Sequence, residues 1–229
     1  MMEPHEFWQE LHPPEDAVPP PWQDRFPAEL PDGRILFLPI RVLGDTGTGI
    51  ASLILNQAGF AVETALADHL AARLTPLDID IVVGLPTLGL SLARAVAERL
   101  GHARYIPLGT SRKFWYRDEL SVPLSSITSP GTVKQLYLDP RLIPLLEGAR
   151  IALVDDVIST GTSISAGLDL LQLVGRGPEA IGTAMLQTSR WRDALCAGRG
   201  IEEERVHGVI RTPLLRATTE GWRRESDTD

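Results

Sequence analysis

The segment from residue 149 to residue 165 constrains the fold more than any other part of the chain, and it reads ARIALVDDVISTGTSIS. Residues 151–154 have the length and the branched, apolar composition of a strand that is buried on both faces of a parallel sheet. Asp155 and Asp156 follow directly, where the strand reaches the edge of the sheet and carboxylates become tolerable. Because ligands of open α/β sheets bind at the carboxyl ends of the strands, the segment predicts an α/β fold with a binding site at this edge.

The residues after the two acids favour an anion. Hydroxyl side chains and a glycine occur together at the predicted start of a helix, in Ser159, Thr160, Gly161, Thr162 and Ser163. Free backbone N–H groups and the positive end of the helix dipole make such a start a good site for a phosphate group. An alternative is that one of the acids only caps the following helix. Capping accounts for one carboxylate and leaves the hydroxyl run unexplained, so we favour a site for a sugar phosphate.

Residues 151–163 resemble the signature of the type I phosphoribosyltransferases, which use phosphoribosyl pyrophosphate. That signature is an apolar strand, two acids, two apolar residues and then Ser/Thr-Thr-Gly-x-Ser/Thr. The resemblance implies the family's parallel sheet flanked by helices, with the two acids on the two ribose hydroxyls and the loop around the 5-phosphate. The residues that it implies for binding phosphoribosyl pyrophosphate are Asp155, Asp156, Val157, Ser159, Thr160, Gly161, Thr162 and Ser163.

Helices and strands alternate from residue 60 onward. Apolar periodicity predicts helices over Phe60–Leu74 and residues 90–100, and another that follows the two acids and continues to residue 174. The predicted strands cover residues 79–83, 104–107, 133–138, 151–154 and 180–186. Strands separated by helices indicate a parallel sheet with right-handed crossovers, so residues 59–216 are expected to form the α/β core.

The N-terminal part of the chain has a different pattern. Residues 1–33 are rich in proline and aromatic residues, which predicts an extended arm. Residues 35–42 and 50–55 look like two strands joined by a glycine-rich turn, residues 44–49. The turn reads GDTGTG, but a nucleotide-binding loop would need a Gly-Lys-Ser/Thr ending, so we favour a hairpin. Residues 1–58 are therefore expected to form an arm and a small hood that contains a β-hairpin, and residues 217–229 a polar C-terminal tail.

A second glycine loop, GLPTLG at residues 84–89, lies between the first predicted core strand and a helix. The backbone N–H groups of Thr87, Leu88 and Gly89 could bind a pyrophosphate without a charged side chain. A simple strand-to-helix turn is the alternative. The resemblance implies a pyrophosphate loop here. Adenine-type members of the family often place an acid and an arginine in that loop, whereas this chain has Pro86 and Leu88.

Residues 109–132 form a long segment without clear periodicity, which is typical of a functional lid or a disordered loop. Arg112 and Lys113 lie where the family carries a basic pair that reaches the leaving pyrophosphate, so the resemblance implies a catalytic role for both. A solvated surface run that includes Arg117 is the alternative. Family members often donate this loop across a dimer interface, and the resemblance therefore implies a homodimer.

Composition limits the remaining possibilities. One cysteine, Cys196, excludes an internal disulfide, and no apolar run is long enough for a membrane span or a signal peptide, so we expect a soluble cytoplasmic protein. The net charge of -8 argues against nonspecific nucleic-acid binding. The five histidines have no ligand spacing, which gives no indication of a metal held by the protein itself. The resemblance implies Mg²⁺ as the cofactor, held mainly by substrate oxygens and water.

The resemblance implies an enzyme, a phosphoribosyltransferase of nucleotide salvage that joins the 5-phosphoribosyl group to a nucleobase and releases pyrophosphate. Ser159 stands where the 6-oxopurine enzymes usually have an aspartate. Residues 129–138 are similar to the adenine-type stretch: Gly131 and Thr132 are retained, but Ser129 and Pro130 replace its usual Glu-Tyr. An adenine-like purine is therefore the expected acceptor. Orotate or another pyrimidine is the second possibility, and a regulator that binds phosphoribosyl pyrophosphate without turnover is a third. Trp191, after the last predicted strand, could stack on the base or fill the core.

Overall fold

The computed structural model describes residues 2–44, 46–124 and 134–225. Its helices are α1 (Phe60–Leu74), α2 (Gly89–Arg99) and α3 (Thr162–Gln172). The first strands are β1 (Arg25–Glu29), β2 (Ile35–Leu43), β3 (Thr48–Ala51), β4 (Ile81–Gly84), β5 (Ile106–Pro107) and β6 (Ser121–Leu124). The later strands are β7 (Lys134–Tyr137), β8 (Ile151–Ile158), β9 (Ala180–Gln187), β10 (Val206–Thr212), β11 (Leu214–Thr218) and β12 (Gly221–Arg224). The strands fall into a core sheet, a hood sheet and the β6–β7 pair.

The core sheet is parallel throughout and has the strand order β10-β9-β8-β4-β5. Side chains of β8 alternate between its two faces. Ala152 and Val154 belong to the apolar cluster that contains α1 and α2, whereas Ile151 and Leu153 belong to the cluster that contains α3. This layering confirms the predicted α/β fold with a parallel sheet between helices.

Two of the helices follow their predicted bounds closely. α1 covers the predicted residues, and its apolar face buries Leu66, Leu70 and Leu74 completely. Burial of each such leucine contributes about 1.5–3 kcal/mol relative to leaving it exposed. α2 packs very close to β4, because a Cβ atom on Gly84 would lie 2.6 Å from the Cβ atom of Ala93. The absence of a side chain at Gly84 therefore sets the distance between this helix and the sheet.

The hood sheet is antiparallel, with the order β1-β2-β3-β11-β12. The predicted N-terminal hairpin is present as β2 and β3. Residues from 217 onward were expected to form a polar tail. Instead, residues 214–224 form the β11–β12 hairpin of this sheet. Long-range contacts hold that hairpin: Leu215 is fully buried, and Trp22 and Trp222 exchange backbone hydrogen bonds of 2.8 and 2.6 Å. The hood is thus built from both ends of the chain.

The strand expected at residues 133–138 also differs from its prediction. Residue 133 lies outside the described residues, and β7 pairs antiparallel with β6 instead of joining the core sheet. Gly109 and Tyr137 form a bridge beside this pair, and Leu124 and Leu136 pack into the α3 cluster. No local pattern predicted β10, which occupies the edge of the core sheet next to β9. Over the described ranges, no helix combines the length and the apolarity that a bilayer crossing requires.

Candidate functional site

The candidate site lies where the chain reverses its direction of travel across the core sheet. From β4 the chain moves outward to β5, and it then returns to β8 on the other side of β4. Gly84 and Val154 are register partners at this point, and the Leu85 N–H donates to the Val154 carbonyl at 2.9 Å. Loops that follow such a pair of strands diverge above it and leave a crevice, which is where open α/β sheets bind ligands.

Gly89 brings the loop after β4 into direct contact with the acid pair. A Cβ atom on Gly89 would lie 2.6 Å from Asp155 Oδ1, 2.8 Å from Asp155 Cα and 3.1 Å from the backbone nitrogen of Asp156. Glycine is therefore the residue type that this approach permits. Thr87 is exposed in the same loop, and Leu88 is half-buried. The structure thus joins the two predicted anion loops, which are about 65 residues apart in sequence, into one crevice.

Asp155 and Asp156 are both buried in the second half of β8, with relative exposures of 6% and 8%, because the strand predicted to stop at residue 154 continues to Ile158. The Asp156 backbone N–H donates to Asp155 Oδ1 at 3.0 Å, and the Thr183 hydroxyl of β9 donates to the Asp156 carbonyl at 2.8 Å. Burial raises the pKa of the Asp155 carboxyl well above its ordinary value, and the neighbouring Asp156 charge raises it further. Burial also raises the pKa of Asp156. A pair of carboxylates in this condition is stabilised by hydroxyl donors or by a cation.

The phosphate loop of the sequence analysis leads from β8 into α3. Gly161 adopts a left-handed backbone with φ of 80° directly before the first helical residue. The Thr160 and Thr162 hydroxyls are 2.9 Å apart, and Ser159 and Ser163 are half-buried. At least the first turn of α3 has backbone N–H groups without helical partners, as every helix start does. The five residues therefore have the local geometry expected of an anion-binding loop.

Arg190 is a residue of the site that the sequence analysis passed over. It follows β9, and its guanidinium donates to Ser159 Oγ through Nη2 at 3.2 Å and to Thr188 Oγ1 through Nε at 3.2 Å. Thr188 has φ of 62°, an unusual value for a β-branched residue. Such backbone strain occurs where the surrounding structure holds a residue for function. A cation directly after the strand beside β8 was the signal available in the sequence.

Gln187 connects the core sheet to the hood at the same edge. Its side chain is buried, and its Nε2 group donates to the Ala51 carbonyl of β3 at 2.7 Å. Nearby, the Trp8 indole N–H donates to the Ser52 carbonyl at 2.9 Å. These two bonds fix the end of β3 above the carboxyl end of β9. The sequence offered no signal for either bond, since the partners are far apart along the chain.

Trp191 packs in the core, which was one of the two roles that the sequence allowed for it. Its side chain is 1% exposed and belongs to the same apolar cluster as Leu195 and α3. The Arg192 guanidinium lies 5.3 Å from the Trp191 ring centroid and is paired with Glu203 at 2.9 Å. A ring that is enclosed in this way is not presented to a nucleobase, so we correct the base-stacking assignment of Trp191.

The predicted lid residues do not contact the acid pair in the structure. Arg112 Nε pairs with Asp118 Oδ1 at 2.7 Å within its own segment, and Lys113 is exposed. Residues 125–133, which include the adenine-type positions Ser129, Pro130, Gly131 and Thr132, lie outside the described residues.

The lid segment is attached to the body at Trp115. The Trp115 indole N–H donates to Asp139 Oδ2 at 3.2 Å, and the Arg141 guanidinium lies 4.4 Å from the Trp115 ring centroid. Hydrogen bonds from Arg141 lower the pKa of Asp139 to about 2, although burial opposes them. Trp115 thus anchors the segment that carries Arg112 and Lys113 to the body of the protein.

A divalent cation fits the donor set of the site only in part. Over residues 2–44, 46–124 and 134–225, His, Cys, Asp and Glu side chains form no group of three or more that could ligate a metal. The two buried carboxylates supply oxygen donors of the kind that Mg²⁺ accepts, and Mg²⁺ commonly takes its other ligands from substrate phosphates and water. The residues present therefore fit Mg²⁺ that arrives with a phosphorylated substrate.

Comparisons with known proteins agree with this geometry. A family model described as the phosphoribosyl transferase domain matches residues 53–193. The bifunctional protein PyrR of Streptomyces coelicolor is 32% identical over 127 residues, which cover 55% of this chain and 61% of that protein. The bifunctional protein PyrR of Bacillus subtilis is 32% identical over 138 residues, which cover 59% of this chain and 72% of that protein.

Two solved structures share the fold. An APRTase from Giardia lamblia, in complex with 9-deazaadenine, is 22% identical with a TM-score of 0.58; the match covers 75% of this chain and 93% of that chain. An adenine phosphoribosyltransferase from Thermoanaerobacter pseudethanolicus is 20% identical with a TM-score of 0.54; the match covers 66% of this chain and 81% of that chain. At these identities the likeness shows the fold alone.

Proposed function

Because this chain belongs to the family of phosphoribosyl transferase domains, we propose that it transfers the 5-phosphoribosyl group from phosphoribosyl pyrophosphate to a nucleobase and releases pyrophosphate. The observation that carries the proposal is the contact of Gly89 with Asp155. This contact joins a loop suited to pyrophosphate with a carboxylate pair suited to ribose hydroxyls. A donor that carries both groups matches the crevice.

Each part of the donor has residues of fitting chemistry. Asp155 and Asp156 accept hydrogen bonds from the two ribose hydroxyls, which offsets the burial that raises the pKa of both carboxyls and the Asp156 charge that raises the pKa of Asp155 further. The loop with Ser159, Thr160, Gly161, Thr162 and Ser163 binds the 5-phosphate through N–H groups and hydroxyls. The backbone of Thr87, Leu88 and Gly89 binds the pyrophosphate.

Mg²⁺ completes the donor site in this proposal. Asp155 and Asp156 are the residues that would hold it, together with oxygens of the substrate and water. A metal bound there would supply positive charge to the leaving pyrophosphate. The protein's own contribution is to orient the ribose and to keep water away from its C1 atom.

The transfer step is a substitution at C1 of the ribose. A ring nitrogen of the base donates its lone pair to C1, the bond from C1 to the pyrophosphate oxygen breaks, and the electron pair leaves with pyrophosphate. The ring N–H proton passes to solvent. C1 gains positive charge in this step, and the buried carboxylates stabilise that charge electrostatically.

The lid supplies positive charge to the leaving group in the closed state. Arg112 and Lys113 are exposed cations on a segment attached to the body through Trp115 and Asp139. Closure would bring them to the pyrophosphate, either of the same chain or of a partner in a homodimer. Exclusion of water on closure strengthens their effect on the leaving group.

The third possibility of the sequence analysis, a regulator that binds the donor without turnover, gains one supporting observation. The relatives from Streptomyces coelicolor and Bacillus subtilis carry the name bifunctional protein PyrR, which states that those proteins have two functions. The chain matches less than two thirds of the length of the Streptomyces protein.

A pyrophosphate-release assay tests the proposal. The full chain is incubated with phosphoribosyl pyrophosphate, Mg²⁺ and each of adenine, hypoxanthine, guanine, xanthine, uracil, cytosine and orotate. We expect release with at least one base, and none when the base is left out. Saturable donor binding without release from any base would instead support the regulator.

A further inference from the structure

We propose that the β11–β12 hairpin of the hood carries a second anion site, which binds the phosphate chain of a di- or triphosphate. The site is an open groove of about 290 Å³, here called the hairpin groove, and it is lined by Arg216, Thr218, Arg223, Arg224 and Glu225. Pockets for drug-sized ligands begin at about 300 Å³, so the volume suits a small ligand. The inference goes beyond the proposed transfer function and does not depend on it.

Arg216 and Arg223 lie on the face of the hood sheet that is turned away from the core. The two residues are register partners, so their side chains share a face of the sheet. Leu215, next to Arg216 in β11, belongs to the core cluster and therefore lies on the opposite face. Both arginines are exposed. The hairpin groove thus shares no residue with the donor crevice.

The arrangement of the two arginines calls for an anion. Side chains of direct cross-strand partners start about 4.5–5.5 Å apart, and like charges at that distance destabilise the strand pair. Charges on an edge strand are common because they prevent pairing with another chain, which accounts for Arg223 and Arg224 of β12. That explanation does not extend to Arg216, because β11 is an interior strand between β3 and β12. An anion between the two guanidinium groups would remove their repulsion.

The carboxylates beside the groove neutralise its arginines only in part. Arg216 is paired with Glu225, and Arg223 Nη2 lies 3.3 Å from Glu220 Oε2. In the ranges that the structure describes, Arg224 takes part in no ion pair. The groove therefore keeps an excess of positive charge in a chain whose net charge is -8. Exposed ion pairs are weak, so a phosphate group of higher charge can displace the glutamates.

The backbone below the groove is fixed before a ligand binds. A Cβ atom on Gly49 of β3 would lie 2.8 Å from the Trp222 ring, so the hairpin packs tightly on its neighbouring strand. Trp222 also exchanges backbone hydrogen bonds with Trp22. At the turn, the Thr218 hydroxyl donates to the Gly221 carbonyl at 2.8 Å. A framework held in this way lowers the ordering cost of binding.

The chemistry of the groove favours a chain of phosphates over a single one. The planar guanidinium group binds phosphate oxygens through two parallel hydrogen bonds. Arg216 and Arg223 face each other across the hairpin, and Arg224 lies one residue further along β12. The cations thus follow the hairpin instead of converging on one point. Two or three linked phosphates, either free or attached to a nucleoside, match this spacing.

Calorimetry of the full chain with inorganic tripolyphosphate tests the proposal in three variants. Arg216→Gln should weaken binding by about tenfold, because it removes a charged donor and leaves Glu225 unpaired beside the groove. Glu225→Gln should instead tighten binding by about threefold, because it frees the Arg216 guanidinium. Arg94→Gln is the matched control: Arg94 is 68% exposed on α2 and is likewise paired with a glutamate, so the affinity should stay within about twofold.

The opposite signs of two of these changes separate the groove from the donor crevice. Any binding of tripolyphosphate in the donor crevice would be the same in all four proteins, so the differences report the hairpin groove. A loss of folding cannot imitate the gain expected in Glu225→Gln. The titrations need no turnover, and they can be read even in a chain that releases no pyrophosphate.

Titration with ATP identifies the source of the phosphate chain. Tighter binding of ATP than of tripolyphosphate, lost in Arg216→Gln, assigns the groove to a nucleoside triphosphate, whereas equal affinities assign it to the phosphate chain alone. Equal affinity for tripolyphosphate in the natural chain, Arg216→Gln and Glu225→Gln would overturn the proposal. Binding of a single-stranded oligonucleotide without binding of tripolyphosphate would also overturn it, because the face would then fit a polynucleotide backbone.

Discussion

The donor half and the acceptor half of the site are built in different ways. The donor half consists of the acid pair, the phosphate loop and Gly89, and each of its loops is a short segment that follows a core strand. The acceptor half consists of Arg190, Gln187 and the hood above them, and the hood takes strands from both ends of the chain. In the proposed function, donor binding thus relies on local motifs, whereas selection of the base would rely on long-range contacts.

This difference separates two kinds of substitution. Changes in the donor half should weaken binding of phosphoribosyl pyrophosphate with every base, because the ribose and both phosphate groups are bound there. Changes in the acceptor half should alter the choice of base and leave donor binding nearly constant.

The largest effect is expected from Gly89→Ala. The new methyl group would lie 2.6 Å from Asp155 Oδ1 and 2.8 Å from Asp155 Cα, so either the loop or the acid pair must move. We expect kcat/KM for pyrophosphate release to fall by at least about 100-fold, since small displacements of reacting groups cost rates of this order. The free energy of unfolding should fall by about 1–3 kcal/mol.

Gly177→Ala is the matched control for this change, because no atom lies within 4 Å of a Cβ atom built there. Its unfolding and its steady-state kinetics should be close to those of the natural chain. Full activity in Gly89→Ala would remove the argument that the two loops form one site.

A smaller and more selective effect is expected from Gln187→Met, which keeps the volume of the buried side chain and removes its bond to the Ala51 carbonyl. An unsatisfied buried carbonyl costs about 1–3 kcal/mol, so urea unfolding should show a loss of this size. KM for the base should rise as the hood loses its tether, while the affinity for phosphoribosyl pyrophosphate stays within about twofold.

Gln172→Met, at an exposed position of α3, controls for the change of residue type. If Gln187→Met weakened donor binding as much as base binding, the donor and the base would not be bound by separate parts of the site.

The smallest effect is expected in stability, from Asp155→Asn without ligand. Burial and the Asp156 charge raise the folded-state pKa of Asp155 above its ordinary 3.8, so the native state binds more protons than the unfolded state. The free energy of unfolding therefore decreases as pH rises from about 3.8 through the raised pKa. Asn removes this titration and the repulsion, so the variant should be more stable near neutral pH, by a few degrees in Tm.

Urea unfolding of both proteins between about pH 4 and pH 8 measures this difference. If the free energies of unfolding of the natural chain and of Asp155→Asn changed with pH in the same way, burial of the Asp155 carboxylate would not lower the stability of the fold. A gain in stability with a loss of donor binding would identify the pair as a functional feature that costs the fold stability.

The sequence predicted those parts of the molecule that local patterns determine. α1 has the predicted bounds because its buried leucines repeat at helical spacing, and β8 with its acids was evident from composition alone. The β11–β12 hairpin was missed because Leu215 is the one buried residue within 214–224 and because the two strands are held against β3. Its structure depends on tertiary contacts that no local pattern contains.

Local sequence patterns also predicted only a part of the residues of the site. Asp155 and Asp156 were identifiable because they follow a buried apolar run, although β8 continues through them to Ile158, but the contact with Gly89 required the strand order of the sheet. Trp191 follows a strand at the edge of the site, yet its side chain turns inward to the α3 cluster. Sequence placed Trp191 and Arg190 side by side, and only the fold distinguished the buried ring from the exposed cation.

The central claim is that the acid pair binds the ribose of phosphoribosyl pyrophosphate, and calorimetry of the full chain with this compound and Mg²⁺ tests it most directly. We predict saturable binding to the natural chain, and an affinity weakened by at least about tenfold in Asp156→Ala and in the isosteric Asp156→Asn. Asp78→Asn, at a side chain that is 82% exposed, should bind as the natural chain does. Unchanged affinity in both Asp156 variants would contradict the claim.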